Sequence, residues 1–337
     1  MKPLSSIQAL RALAALAVVM FHAFQWSNLD FAVGAAGVDL FFLISGFVLW
    51  LAAERSPVSP GAFLWARATR VAPLYWLWSL VAAGLAALWP RMIPVVHLDL
   101  GHALLSLAFI PHLDPWGGPW PLLPSGWTLT YEAFFYLVFA LALTQPKATR
   151  LQILAVVLTI GAVLGFAYHR WYTLLANPLL LEFLAGAGLA RAWARGPFAA
   201  GRPGLGLAAI ALGVSLIAAQ QAVGFQSDFW RPVVWGGPGF LILYGALRWE
   251  ASGGLAGPIA AGLGRIGDAS YSLYLCHLPV VAVVLASTPA LPGPIRVALT
   301  IPCALLVGLA CHAVVERPMT RALRKLPGFT EILPARA

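Results

Sequence analysis

Residues 7–24 read IQALRALAALAVVMFHAF. The run is apolar enough for a membrane-spanning helix, yet it carries Arg11 and His22. They are eleven residues apart, close to three helical turns, so both project from one face, ~16 Å apart along the axis. An ionisable side chain in hydrocarbon costs at least ~2.5 kcal/mol. Each residue alone could anchor one end of the helix. On a shared face, the pair points instead to a stripe turned toward protein or water.

The rest of the chain has the same character. Apolar residues make up 61% and charged residues 10% of the sequence, where a soluble domain carries about 25% charge. Mean hydropathy is +0.83. The fold class is therefore all-α: a polytopic helical membrane bundle with about ten transmembrane helices, and residues 1–337 form one domain with a basic tail from about 316. The expected spans are about 5–25, 36–53, 71–89, 127–144, 151–168, 174–191, 205–222, 232–247, 268–286 and 295–314. The first is not a cleaved signal, because charged groups interrupt it and no small-x-small site follows.

The net charge of +9 follows from topology. With loops alternating and both termini in the cytoplasm, Arg91, Arg170, Arg231 and Arg296 fall outside and Arg11 is embedded. The other sixteen of the 21 Lys and Arg residues lie inside. This is a positive-inside pattern that needs no nucleic-acid partner. The tail beyond Glu316 is expected to lie on anionic lipid headgroups. Cys276, Cys303 and Cys311 sit in apolar segments and read as packing residues. No metal-ligand spacing is present.

The outer loop from 90 to 126 is the longest. It contains HALLSLAFIP at 102–111, too short to cross, which reads as a half-helix or re-entrant piece, then a Pro-, Gly- and Trp-rich stretch. That stretch reads as an interfacial tryptophan belt, or as a platform on which sugar faces stack. His97, His102, His112 and His169 are expected to be solvated there or at helix ends.

Inside the spans, polar residues recur at helical spacing. Thr128, Glu132 and Tyr136 are spaced by four; Ser270, Tyr274 and His277 fall on one face, with Tyr271 one position off it. Embedded carboxylates such as Glu132 and Glu182 are functional candidates, though Glu132 could equally bridge to Arg11. The hydroxyls of the 270–277 face could bind substrate or simply join helices. His22 is the candidate general base, and Asp39, one short loop later, is placed to orient it or to meet its own helix dipole. Arg67 and Arg70 share a face at the mouth of the third span. No nucleophile elbow or P-loop occurs.

These motifs, in order, are Arg-x10-His, GVDLFFLISGFVL at 37–49, RATRVAPLYW from Arg67, GWTLTYEAFFYLVF at 126–139, SYSLYLCHLP at 270–279 and ERP at 316–318. The ordered set resembles acyltransferase family 3, integral-membrane enzymes that O-acylate sugars, and is most similar to its exopolysaccharide (succinoglycan-type) branch. The resemblance implies a bacterial inner-membrane enzyme. It would use cytoplasmic acyl-CoA, acetyl-CoA by preference, as donor and a polysaccharide or lipid-linked glycan as acceptor, with no permanently bound cofactor. It also implies that Arg67 and Arg70 hold the phosphates of the donor, which suits guanidinium forks. His22, Asp39, Glu132 and Arg11 form the candidate catalytic set; Trp127, Tyr131, Tyr136, Ser270, Tyr274 and His277 form the candidate substrate-binding set. A secondary transporter using buried Arg, His and Glu is the competing expectation.

Overall fold

The computed structural model describes residues 4–168, 177–196, 198, 203–224 and 230–323. His169, Arg170, Arg202 and the basic tail from Arg324 lie outside the described residues. Among those described, every regular element is helical. The chain runs α1 (Ser5–Gln25), α2 (Ala36–Arg55), α3 (Pro60–Leu88), the short α4 (Leu100–Leu107), α5 (Trp127–Leu143), α6 (Lys147–Tyr168), α7 (Leu180–Ala194) and α8 (Pro203–Val223). It continues with α9 (Gly237–Ala251), α10 (Gly257–Asp268), α11 (Ser270–Ser287), α12 (Gly293–Cys311) and α13 (Arg317–Leu323). π-helical turns at 232–236 and 312–316 lead into α9 and α13.

Ten long helices stand at the ten expected places, and eight of them are long and apolar enough to cross a membrane. The exceptions are α7 and α9, at 15 residues each, against the ~20 that a span needs. The π turn extends α9 backward to Pro232, and α7 is sheathed by α2 rather than by lipid. The α2–α7 contact is backbone on backbone. A methyl group added at Gly186 would lie 2.0 Å from the Leu43 carbonyl oxygen, and one at Gly46 would lie 2.1 Å from that of Phe183. Small residues permit this approach, which drives helix association where lipid offers no hydrophobic contrast.

The third span begins earlier than its hydropathy suggests. Ser59 caps α3 by accepting from the Ala62 N–H, and Pro60 occupies its first turn. Arg67 and Arg70 therefore belong to a continuous helix and not to a loose flank. The half-helix expected near 101–111 is α4, capped by Asp99. It is tied to α3 by hydrogen bonds from Tyr75 OH to Ser106 O and from Trp76 Nε1 to Leu107 O.

The helix ends sort into two sets. At one end, Ser5 and Ser6 donate to the Glu250 carboxylate, Gln8 to Asp268, and Lys147 to the Glu54 carbonyl. At the other, Gln221 joins Asp30 and Val33. Residue 5 thus shares one end with the α2–α3, α5–α6 and α9–α10 connections.

Candidate active site

Helices α1, α2, α3, α5 and α11 enclose a cavity of about 150 Å³. It is polarised along its length. Arg11, Arg67, Arg70, Glu132, Tyr136, Ser270 and Tyr271 line its inner part among the apolar Ile44, Val48, Leu49 and Val71; Val38, Phe41, Phe42, Leu129, Thr128 and Tyr274 line its outer part. Three guanidiniums face one carboxylate, so the inner part favours anions. The outer part is apolar and closes on the Tyr274 phenol, which donates to the Ser125 carbonyl at 3.0 Å and meets the Thr128 hydroxyl at 2.9 Å.

The helical spacings explain this convergence. Thr128, Glu132 and Tyr136 form one stripe of α5 along the wall; Ser270 and Tyr274 do the same on α11. Arg11 Nη2 donates to Ser270 Oγ at 2.9 Å, and Ser45 Oγ donates to Glu132 Oε1 at 2.6 Å. In place of the bridge weighed between them, Arg11 meets the Ser270 hydroxyl and Glu132 meets those of Ser45 and Tyr136.

His22 lies beyond the cavity, on the far side of Tyr274. Its Nδ1 is 3.1 Å from the Val18 carbonyl and 3.3 Å from His277 Nε2. His277 has no exposed surface, and its Nδ1 bonds to the Tyr274 carbonyl. Arg11 meets α11 at Ser270 and His22 meets it at His277, so one face of α1 runs along one face of α11.

Asp39 does not orient His22. Its carboxylate receives Arg231 Nη2 at 2.8 Å and Nε at 3.4 Å. Arg231 also donates to the Ala35 carbonyl at 3.2 Å and lies over the rings of Trp127 and Trp235. Asp39 has no exposed surface. A charge so buried needs a cation within reach, and Arg231 supplies it from 192 residues away. Arg231, expected on the outer side, is thus buried against Asp39. Trp127 packs edge-on against Phe42 and Tyr131, while Tyr131 OH accepts from Asn177 Nδ2 at 2.9 Å. Both lie outside the cavity wall.

One further correction concerns a histidine, and the last motif proves to be a structural tie. His102 is 5% exposed, not solvated, and its Nδ1 lies 2.8 Å from His112 Nε2. Glu316 of the ERP motif is buried; it accepts from Ser272 Oγ at 2.6 Å and pairs with His312 Nδ1 at 2.8 Å. This ties the end of the chain to the back of α11, opposite its cavity face. His312 was not anticipated, although its four-residue spacing from Glu316 was available as a signal.

Comparison with known proteins agrees with this layout. The acyltransferase-domain profile of acyltransferase family 3 matches residues 4–314. The exopolysaccharide production protein ExoZ of Rhizobium meliloti is 36% identical over 315 residues, covering 90% of this chain and 95% of that protein. Protein 2 in the picA locus of Rhizobium radiobacter is 35% identical over 141 residues, 39% of this chain and 70% of its own length. The peptidoglycan O-acetyltransferase OatA of Listeria monocytogenes is 25% identical over 365 residues, 95% of this chain but 56% of that protein. No solved structure matches. A profile that spans nearly every helix, including all five that wall the cavity, gives the conclusion: the chain belongs to acyltransferase family 3 and is a membrane O-acyltransferase.

Proposed function

We propose that the protein transfers an acetyl group from cytoplasmic acetyl-CoA to a hydroxyl of an exported polysaccharide, in a bacterial inner membrane with both termini in the cytoplasm. The observation that carries this reading is the cavity itself. Arg67 and Arg70, near the start of α3, line its inner part with Arg11 and Glu132, and its outer part is apolar. Coenzyme A is a polyanion whose acyl group sits at the far tip of a thin arm. Guanidiniums at the mouth would hold its phosphates, and the apolar end suits a short acyl group. The acceptor class is inferred from ExoZ, whose match covers 90% of this chain.

His22 is the base in this reading. The Val18 carbonyl can only accept, so the proton of the neutral ring sits on Nδ1 and Nε2 keeps its lone pair. Nε2 would take the proton of the acceptor hydroxyl as that oxygen attacks the thioester carbonyl. The C–S bond then breaks, and the imidazolium returns the proton to the departing thiolate. Thioester and alcohol become ester and thiol with no net change in protons. Arg11, Glu132, Tyr136, Ser270 and Tyr274 would position the donor arm.

The test uses purified protein in nanodiscs with radiolabelled acetyl-CoA and de-O-acetylated exopolysaccharide. Acetyl should move to the polysaccharide. Replacing both Arg67 and Arg70 with Ala should raise the KM for acetyl-CoA, with added salt reproducing part of the effect. His22→Gln should lower turnover by ~10²- to 10⁴-fold, the range of a general base. Thioester that stays intact in the presence of acceptor would overturn the reading, and counterflow of a solute in its place would favour transport.

A further inference from the structure

We infer that His277 is the positioning residue of the catalytic base: a second, neutral histidine stands where a carboxylate was expected. The inference rests on the reading of His22 as the base. Two hydrogen bonds carry it. His277 Nδ1 bonds to the Tyr274 carbonyl, which can only accept, so His277 carries its proton on Nδ1 and presents a lone pair at Nε2. That lone pair lies 3.3 Å from His22 Nδ1, which carries a proton because it also faces the Val18 carbonyl. The chain of donation runs from His22 Nδ1–H to His277 Nε2, and from His277 Nδ1–H to Tyr274 O. The Tyr274 carbonyl fixes the tautomer of His277, and the Val18 carbonyl together with His277 Nε2 fixes that of His22, whose Nε2 is left as the basic nitrogen.

The packing fits this role. The rings lie 4.9 Å apart at 52°, and the Phe21 ring meets His22 edge-on at 4.7 Å. His277 is fully enclosed, so its ring cannot turn away. Asp39, the alternative partner, is committed to Arg231. A neutral partner also suits the setting, because a carboxylate at this depth would need its own cation. When His22 takes the proton of the acceptor, its Nδ1–H becomes a charge-assisted donor to His277. The proton does not pass to His277, whose own Nδ1–H stays on the Tyr274 carbonyl. His277 therefore acts on the reaction through His22 alone.

The experiment compares three substitutions at His277 in the full-length protein, with acetyl transfer read at matched membrane levels. In His277→Gln, the amide oxygen reaches the place of Nε2 and accepts from His22; turnover should stay within about fivefold of wild type. His277→Asn is as polar but one methylene shorter, so its oxygen falls near Nδ1 and cannot reach. It and His277→Leu should lose turnover by on the order of 10- to 100-fold, as when a ring loses its orienting partner. The KM for acetyl-CoA should hold in all three, because the donor cavity ends at Tyr274. Wild-type turnover in His277→Asn or His277→Leu overturns the proposal, and so does equal loss in Gln and Asn. If the Leu variant fails to insert, the Gln–Asn pair decides alone. His22→Gln separates the two levels: inactive His22→Gln beside active His277→Asn removes only the positioning role, whereas active His22→Gln removes the base itself.

Discussion

A carboxylate with no exposed surface sits in the first turn of α2, and its neighbourhood shows what a single residue demands of this fold. Asp39 is neutralised by Arg231, whose guanidinium is clasped between Trp127 and Trp235 and capped on the Ala35 carbonyl. Glu182 of α7 lies beside the pair. Removing one partner of such a pair leaves a buried charge uncompensated, at a cost of about 3–5 kcal/mol. Asp39→Ala should therefore lower the thermal unfolding midpoint in detergent sharply, while adding Arg231→Leu should recover part of the loss. If Asp39→Ala melts like wild type and only turnover falls, Asp39 belongs to the chemistry. At this scale Arg11, Glu132, Ser270 and Tyr274 were legible, because a polar residue at helical spacing in an apolar segment has few places to go. The partner of Asp39 was not, since it depends on a contact between helices far apart in the chain.

Among the elements, α4 and the loop beyond it carry the clearest pH dependence. His112 Nδ1 is 2.8 Å from the Ile110 carbonyl, so it donates there and leaves Nε2 to accept from His102 Nδ1. Burial first, and the neighbouring His112 and His97 next, hold His102 below its ordinary value, against the opposing pull of Asp114 and Asp99. The folded loop thus binds protons less readily than the unfolded one, and its stability rises with pH across that interval. The contribution is complete above the unfolded value of about 6.5 and is lost as pH falls below it. Amide exchange across 100–112, corrected for intrinsic rates, should show constant protection at pH 7–8 and falling protection toward pH 5. His102→Asn should remove most of that slope, and protection that rises on acidification would contradict the assignment. The sequence marked α4 through the shortness of its apolar run; its Asp99 cap emerges only in the structure. It could not show that His102 of α4 and His112 of the following loop meet, because their ten-residue separation matches no regular period.

For the whole molecule, hydropathy and the distribution of Arg and Lys gave a bundle with ten crossings, and the contacts at the helix ends supply an independent test. Ser5 and Glu250 share one end, as do Lys147 and Glu54, while Asp30 and Gln221 share the other. This sorting holds only if each long helix between them traverses the bundle, α7 and α9 included. Cysteines introduced singly at Ser56, Gln145, Arg195 and Ser252 should be silent to a membrane-impermeant maleimide in intact cells and react after permeabilisation. Those at Asp30, Pro115 and Pro289 should react without it. Cys276 and Cys311 are buried, and Cys303→Ala clears the remaining background. The decisive sites are Arg195, which follows α7, and Ser252, which follows α9. If α7 and α9 were too short to cross, the loops they join would change sides. Labelling at Ser252 from outside, with Gln145 still protected, would leave an odd number of crossings between those two positions. It would also separate Ser5 from Glu250, a pair joined through the Ser5 N–H at 3.1 Å and Ser5 Oγ at 2.9 Å. Protection at both Arg195 and Ser252, together with reactivity at Pro289, would establish that two 15-residue helices traverse the membrane because neighbouring helices, rather than lipid, enclose them.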